Sequence, residues 1–160
     1  MFKKMFGKKE VSIVAPLNGE LVPLEEVPDP VFNQKMMGDG IAIKPADGKV
    51  CAPADGKIIQ IPETKHAIGL RTADGVEILI HIGLETVSLK GEGFTVKTEV
   101  GKQVTAGDAL LEFDLEYVRE NASDTVTPIV ITNGKESGKH FSISEEKECQ
   151  AGETVIISYK

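Results

Sequence analysis

The chain has 160 residues, 41% hydrophobic and 27% charged, which fits one folded domain with a short tail and excludes a disordered chain. Lys and Arg total 18 against 25 Asp and Glu, a formal charge of −7 that argues against general nucleic-acid binding, because neutralising phosphates needs a basic field. No apolar run approaches the roughly 18 residues that span a bilayer, and Cys51 and Cys149 form no spaced motif, so a reduced, cytoplasmic protein is expected.

Residues 1–10, MFKKMFGKKE, stand apart in composition. They lack the apolar stretch and small-residue cleavage site of a secretory signal. Met1, Phe2, Met5 and Phe6 alternate with Lys3, Lys4, Lys8 and Lys9, which suits a short amphipathic helix in peripheral contact with anionic lipid. A solvated tail is the other reading, since a helix this short is marginal in water. Residues 11–160 are expected to form the single domain.

Within that domain, 16 glycines and 8 prolines punctuate the chain. Asn18-Gly19, Asp39-Gly40, Asp47-Gly48, Asp55-Gly56, Asp74-Gly75 and Asn133-Gly134 are strong turn dipeptides. Between them lie short Val-, Ile- and Leu-rich segments, among them Gly40–Ile43, Lys57–Ile61, Val76–Ile82, Ala109–Phe113 and Pro128–Thr132. This pattern predicts an all-β fold, an antiparallel β-sandwich or barrel-like structure with little helix. Only Leu115–Ala122 reads as a helical turn or two. Ala15-Pro16-x-x-Gly19-x-Leu21-Val22-x-Leu24 recurs as Ala52-Pro53-x-x-Gly56-x-Ile58-Ile59-x-Ile61. Either both are the same turn-then-strand unit, or a hybrid motif is duplicated into pseudo-symmetric halves.

Two of the 3 histidines flank one predicted hairpin, with His66 before Ala67–Thr72 and His81 on Val76–Ile82. A two-residue loop, Asp74-Gly75 or Ala73-Asp74, puts both rings on one face, roughly 5–8 Å apart at Cβ. A three-residue loop is expected to place them on opposite faces. Alternation assigns Val76, Ile78, Ile80 and Ile82 to the core, and Glu77, Leu79 and His81 to the other face. In the two-residue registers His66, Ile68 and Leu70 join that second face, making an apolar patch with titratable groups at its centre. A lone strand histidine is usually a satisfied or solvated residue; the pairing is what raises these two above that. His140, in the charged stretch 134–147, reads as ordinary surface.

Two chemistries suit such a pair. One imidazole can accept a phosphoryl group while the other hydrogen-bonds its oxygens, because an imidazole with pKa near 6.5 keeps a free lone pair at neutral pH. The pair can also ligate zinc, but a catalytic zinc site needs a third protein ligand. No His-x-His, His-Glu-x-x-His or Cys-x-x-Cys is present, and Glu63, Glu77 and Glu85 are the remaining candidates. Phosphate-binding loops and nucleophile elbows are absent, and neither cysteine has a basic, histidine-adjacent local context.

Ile13-Val14-Ala15-Pro16-Leu17-x-Gly19, Val27-Pro28-Asp29-Pro30-Val31-Phe32, Met37-Gly38-Asp39-Gly40-Ile41-Ala42-Ile43, Thr64-Lys65-His66-Ala67, Gly75-Val76-Glu77-Ile78-Leu79-Ile80-His81-Ile82-Gly83, Leu89-Lys90-Gly91-Glu92-Gly93-Phe94 and Phe113-Asp114-Leu115 together resemble the glucose-type IIA domain of the bacterial phosphoenolpyruvate-dependent sugar phosphotransferase system, over roughly residues 11–157. The resemblance implies an antiparallel β-sandwich. It implies that His81 is phosphorylated by a histidine-phosphorylated carrier protein and passes the group to a cysteine of a sugar-specific IIB domain. His66 matches the histidine that hydrogen-bonds the phosphoryl group, and Thr64 the hydroxyl that orients the pair. The matching docking surface, an apolar disc with an acidic edge, comprises Asp29, Val31, Phe32, Met37, Leu79, Glu85 and Val87.

An acidic rim suits a transient encounter with a carrier whose phosphohistidine lies beside basic residues. No cofactor or metal is implied for turnover, although His66 and His81 can hold zinc adventitiously or share it with a partner. Pro62 and Leu79 stand where aromatic rings can occur in the family, and Glu85 replaces a shorter acid. These departures bear on partner preference and on any regulatory protein targets. The N-terminal segment also resembles the membrane-associating tail of some free-standing members. A regulatory binding module, whose docking surface is switched by about −2 charge on His81, is the alternative function. A zinc-dependent peptidase is a third.

Overall fold

Short runs of β-branched residues between turn dipeptides fold into strands of 2 to 7 residues in a computed structural model that describes residues 10–160. The basic segment at 1–10 lies outside the described residues except for Glu10. Every strand pairing is antiparallel. Numbered in chain order, an eight-stranded sheet runs β13 (Glu148–Cys149), β2 (Gly19–Pro23), β3 (Asp39–Pro45), β11 (Thr127–Ile131), β7 (Glu77–His81), β6 (Ala67–Arg71), β5 (Gly56–Gln60), β9 (Gln103–Val104). Two three-stranded sheets complete the fold: β1 (Val11–Val14), β14 (Val155–Tyr159), β12 (Phe141–Ile143), and β4 (Lys49–Cys51), β10 (Ala109–Phe113), β8 (Phe94–Val96).

Period-two alternation sets both faces of the large sheet. Leu21, Ile41, Ile43, Ile68, Leu70, Ile78, Ile80, Ile129 and Ile131 point to the main core, against Ile13, Ile157 and Tyr159 of one small sheet and Leu111 and Phe113 of the other. On the opposite face, Val22, Ala42 and Val130 form a second cluster, roofed by Leu24, Val27, Phe32, Leu84 and Val126, with Leu79 packed against it. The site is built on this second face.

The two copies of the Ala-Pro-x-x-Gly unit take equivalent places in the fold, as the duplicated-motif reading expects. Strands β2 and β5, which follow the two copies, occupy matching positions either side of the β11–β7 centre of the sheet. The copies also exchange matched hydrogen bonds, Val14 N–H to Pro53 O at 2.8 Å and Cys51 N–H to Pro16 O at 2.9 Å.

Helix is sparse. As the sequence predicts, a helix (here α2) spans Leu115–Asn121, with the Asp114 side chain accepting from Tyr117 N–H. Two four-residue helices escape the sequence reading, α1 (Pro30–Asn33) and α3 (Gly134–Ser137). The first carries its own signal: Asp29 accepts from Val31 N–H as the N-cap, and Pro30 occupies the first turn, where its missing N–H costs nothing. No helix among the described residues is long and apolar enough to cross a membrane.

The β6–β7 hairpin differs from both registers that were expected to pair the histidines. Ala67 faces His81, Ile68 faces Ile80 and Arg71 faces Glu77, so Ala73, Asp74 and Gly75 form a three-residue loop. Gly75 takes φ +90° to close it, the left-handed position such loops require. Ile68 and Leu70 consequently lie in the main core and not on the histidine face.

Candidate active site

In a regular strand this register would send His66 to the core side, yet the two rings meet edge to face with centroids 4.9 Å apart. The reason is local. His66 precedes β6, and its carbonyl still accepts from Ile82 N–H at 2.8 Å. The turn before it, closed by Lys65 N–H to Pro62 O at 2.9 Å, puts Lys65 at φ +59°, so strand alternation does not govern the His66 side chain. Thr64 Oγ1 then lies 2.7 Å from His66 Nδ1 and fixes the ring plane.

His81 is held at the end of β7. Its Nδ1 is 2.8 Å from Gly83 O; a carbonyl only accepts, so Nδ1 carries the proton and Nε2 keeps its lone pair. That carbonyl belongs to a glycine whose backbone conformation and surroundings leave no room for a side chain. Gly83 has φ +72°, and a Cβ there would lie 2.7 Å from Thr86 Cγ2 and 2.9 Å from Asp124 O. Gly83 is the contributor to the geometry at His81 that side-chain reasoning passes over, although the His-x-Gly spacing is visible in the sequence.

Both rings are neutral at pH 7. Burial, with the adjacent His81 adding to it, pushes His66 down to about 4, and the residue is only 9% exposed. Burial also lowers His81, opposed by the Gly83 carbonyl and the Asp29 carboxylate. Asp29 therefore has two jobs, capping α1 and placing negative charge near His81. The helix it caps delivers Phe32, whose ring centroid is 5.0 Å from that of His81.

The low His66 value carries a stability consequence with a definite sign. Unfolded histidine titrates near 6.5, so between about 6.5 and 4 the unfolded chain holds a proton that the folded chain refuses. Folding stability attributable to His66 therefore falls as pH drops through that window, by about 3 kcal/mol on reaching pH 4. Denaturant unfolding of wild type and His66→Gln from pH 7 to 4 should show the wild type losing this increment and the variant lacking it. Parallel curves would contradict the buried, neutral assignment.

The residues expected to form the docking surface divide into two groups. Val31, Met37, Glu85 and Val87 are exposed, Asp29 and Leu79 are half-buried, and Met36 is exposed beside them in sequence. Phe32 is 4% exposed and acts as a wall behind His81 more than as contact area. The 24–39 segment, which carries Asp29, Val31, Phe32 and Met37, is braced by Lys35, which bridges Glu25 at 3.0 Å and Asp39 at 3.4 Å.

The clefts walled by Asn18, Lys44 and Glu148 and by Met37, Ile131 and Phe141 include neither histidine. A half-buried histidine backed by a buried one, beside exposed apolar side chains, suits a macromolecular partner better than a small substrate. Among the described residues, no group of three His, Cys, Asp or Glu side chains could hold a metal. Glu63, Glu77 and Glu85 thus do not complete a zinc set with the two histidines.

Residues 11–137 match the family model described as phosphoenolpyruvate-dependent sugar phosphotransferase system, EIIA 1. The chain is 52% identical to the PTS system glucose-specific EIIA component of Halalkalibacterium halodurans, over 100% of this chain and 98% of the relative. It is 48% identical to the protein of that name from Staphylococcus aureus, covering 98% and 97% of the two chains. The solved structure of glucose permease IIA from Mycoplasma capricolum superposes with a TM-score of 0.87 at 40% identity, covering 94% of this chain and 96% of that one.

Proposed function

We propose, for a chain that belongs to the phosphoenolpyruvate-dependent sugar phosphotransferase system EIIA 1 family, that the travelling phosphoryl group is carried on Nε2 of His81. Family membership makes the protein a IIA component in sugar phosphotransfer. The observation that carries the finer reading is the 2.8 Å contact of His81 Nδ1 with Gly83 O, which leaves Nε2 as the free lone pair beside a second imidazole.

In this reading a histidine-phosphorylated carrier protein docks on the disc edged by Asp29 and Glu85. The lone pair of Nε2 forms the new N–P bond as the carrier's N–P bond breaks, and the carrier imidazole takes back that electron pair. The His81 ring becomes cationic with its Nδ1 proton retained, and the Gly83 carbonyl stabilises it more strongly than it did the neutral ring. With the Thr64 hydroxyl donating to Nδ1, the His66 proton sits on Nε2 and donates to a phosphoryl oxygen. A cysteine thiolate of a IIB domain then attacks phosphorus, and the N–P electrons return to His81. The transition state is loose, so positioning and charge stabilisation suffice and no metal or cofactor takes part.

The names of the relatives support a glucose-specific permease as the destination. A cytoplasmic location follows from such a role. Residues 1–10 are proposed as a basic tail, able to touch anionic lipid, ahead of a carrier domain at 11–160.

The ring position is the test. Nitrogen and phosphorus NMR of the phosphorylated protein should assign the N–P bond to Nε2 of His81. A bond at Nδ1 would contradict the role given to the Gly83 carbonyl.

A further inference from the structure

The Leu89-Lys90-Gly91-Glu92-Gly93-Phe94 loop has no part in the transfer described above, yet it lies against the turn that aims His66. Lys90, Gly91 and Gly93 take φ of +57°, +89° and +85°, which folds the loop back on itself. A Cβ on Gly91 would lie 3.7 Å from Glu63 O and from Lys65 Cδ, and 3.9 Å from Thr64 O, so Gly91 is the point of the loop that faces the Thr64 turn, about one methyl group away. The far side of the loop is fixed to α2. Tyr117 O–H donates to Glu92 Oε2 at 2.5 Å, and Asp114 N–H donates to Gly93 O at 2.8 Å. At its start the same segment leaves Gly83, whose carbonyl holds His81, and is pinned where the buried Thr86 hydroxyl donates to Ile82 O at 2.6 Å.

One stretch of chain, Gly83 to Phe94, therefore contacts the orienting groups of both rings. We infer that Gly91, in a loop held on α2 through Glu92 and Gly93 and facing the Thr64 turn, is a positioning residue that sets the Thr64–His66 hydrogen bond, and with it the spacing of the two imidazoles. Among the described hydrogen bonds, the Thr64 turn has one internal backbone bond, Lys65 N–H to Pro62 O, so the loop that faces it at Gly91 limits how far the turn can shift. A group that must sit within a few tenths of an ångström of its target is held by such supporting contacts.

The inference rests on the phosphoryl-transfer reading for its consequence in rate, but not for its structural content. Gly91→Ala strains a left-handed position while its methyl makes only ordinary contacts. Gly101→Ala is the matched control, since Gly101 has φ +95° with nothing within 4 Å of a Cβ. Both variants should lose similar thermal stability. Only Gly91→Ala should move the ring-nitrogen resonances and pH titration of His66, and slow phosphoryl transfer by about tenfold.

Wild-type His66 resonances in a folded Gly91→Ala, or equal shifts in Gly101→Ala, would overturn the inference. If Gly91→Ala fails to fold, Tyr117→Phe removes the Glu92 anchor without backbone strain and should shift the same His66 resonances; unchanged resonances there would overturn it. The expected His66 shifts in Gly91→Ala, together with a wild-type protein that takes no phosphoryl group, would instead leave the positioning intact and refute the transfer reading.

Discussion

A His81→Ala variant is expected to accept no phosphoryl group from a phosphorylated carrier protein, a loss beyond about a thousandfold. The size of the effect follows from the absence of a substitute. His66 has one ring nitrogen engaged by Thr64 at 2.7 Å and is 9% exposed, so it cannot meet an incoming donor in line. The variant should stay folded, because His81 is half-buried on the outer face and its ring packs on Phe32 and His66, away from the main core. Radiolabel transfer from phosphoenolpyruvate through enzyme I and the carrier, alongside a thermal melt, checks both parts. Label on a folded His81→Ala protein would move the nucleophile elsewhere.

The second large effect is expected at His66. Losing one preorganised donor to a developing oxyanion costs on the order of 10²–10³ in rate, and His66→Ala should show such a loss. Onward transfer to the cysteine acceptor should suffer most, because a phosphoryl group already on His81 depends on His66 for its geometry. Half-saturation for the carrier should barely change, since a residue so buried contributes little to the docking area. Rapid-quench measurements of both half-reactions separate these expectations. A His66→Ala protein that relays at the wild-type rate would remove the role assigned to it.

The contrast between His66 and His81 shows where the sequence is informative. Turn dipeptides and alternation are enough to identify an all-β antiparallel fold, the core face of β7 and the hairpin that holds both histidines, while the repeat leaves duplication as one of two readings. Register was harder to read. Loop length at Ala73-Asp74-Gly75 is fixed partly from afar, by Tyr159 O–H donating to Asp74 at 2.8 Å, which no local pattern encodes. The expected pairing nonetheless survives in the third register. His66 leaves the ladder through a left-handed Lys65, so the strand rule that would have separated the rings does not apply to it.

The small helix α1 was legible in principle from Asp29-Pro30 as cap and first turn, but four residues carry no helical period. The Gly83 carbonyl was harder still. A backbone acceptor has no residue type of its own, and its role emerges only once φ +72° and the neighbouring Thr86 and Asp124 are in place. For the disc, sequence resemblance names residues without ranking their exposure, which the fold decides. Val31, Met37 and Val87 offer exposed area, whereas Phe32 and Asp29 act on His81 from behind.

The central claim, that His81 is the phosphoryl carrier, is tested most directly by mapping the modified residue. The protein is incubated with phosphoenolpyruvate, enzyme I and the histidine carrier, then digested and read by mass spectrometry under alkaline conditions that preserve phosphohistidine. The account predicts a single phosphoryl group on the peptide containing His81 and none on that containing His66. Label on His66, or no label from a carrier proven competent on another acceptor, would contradict it.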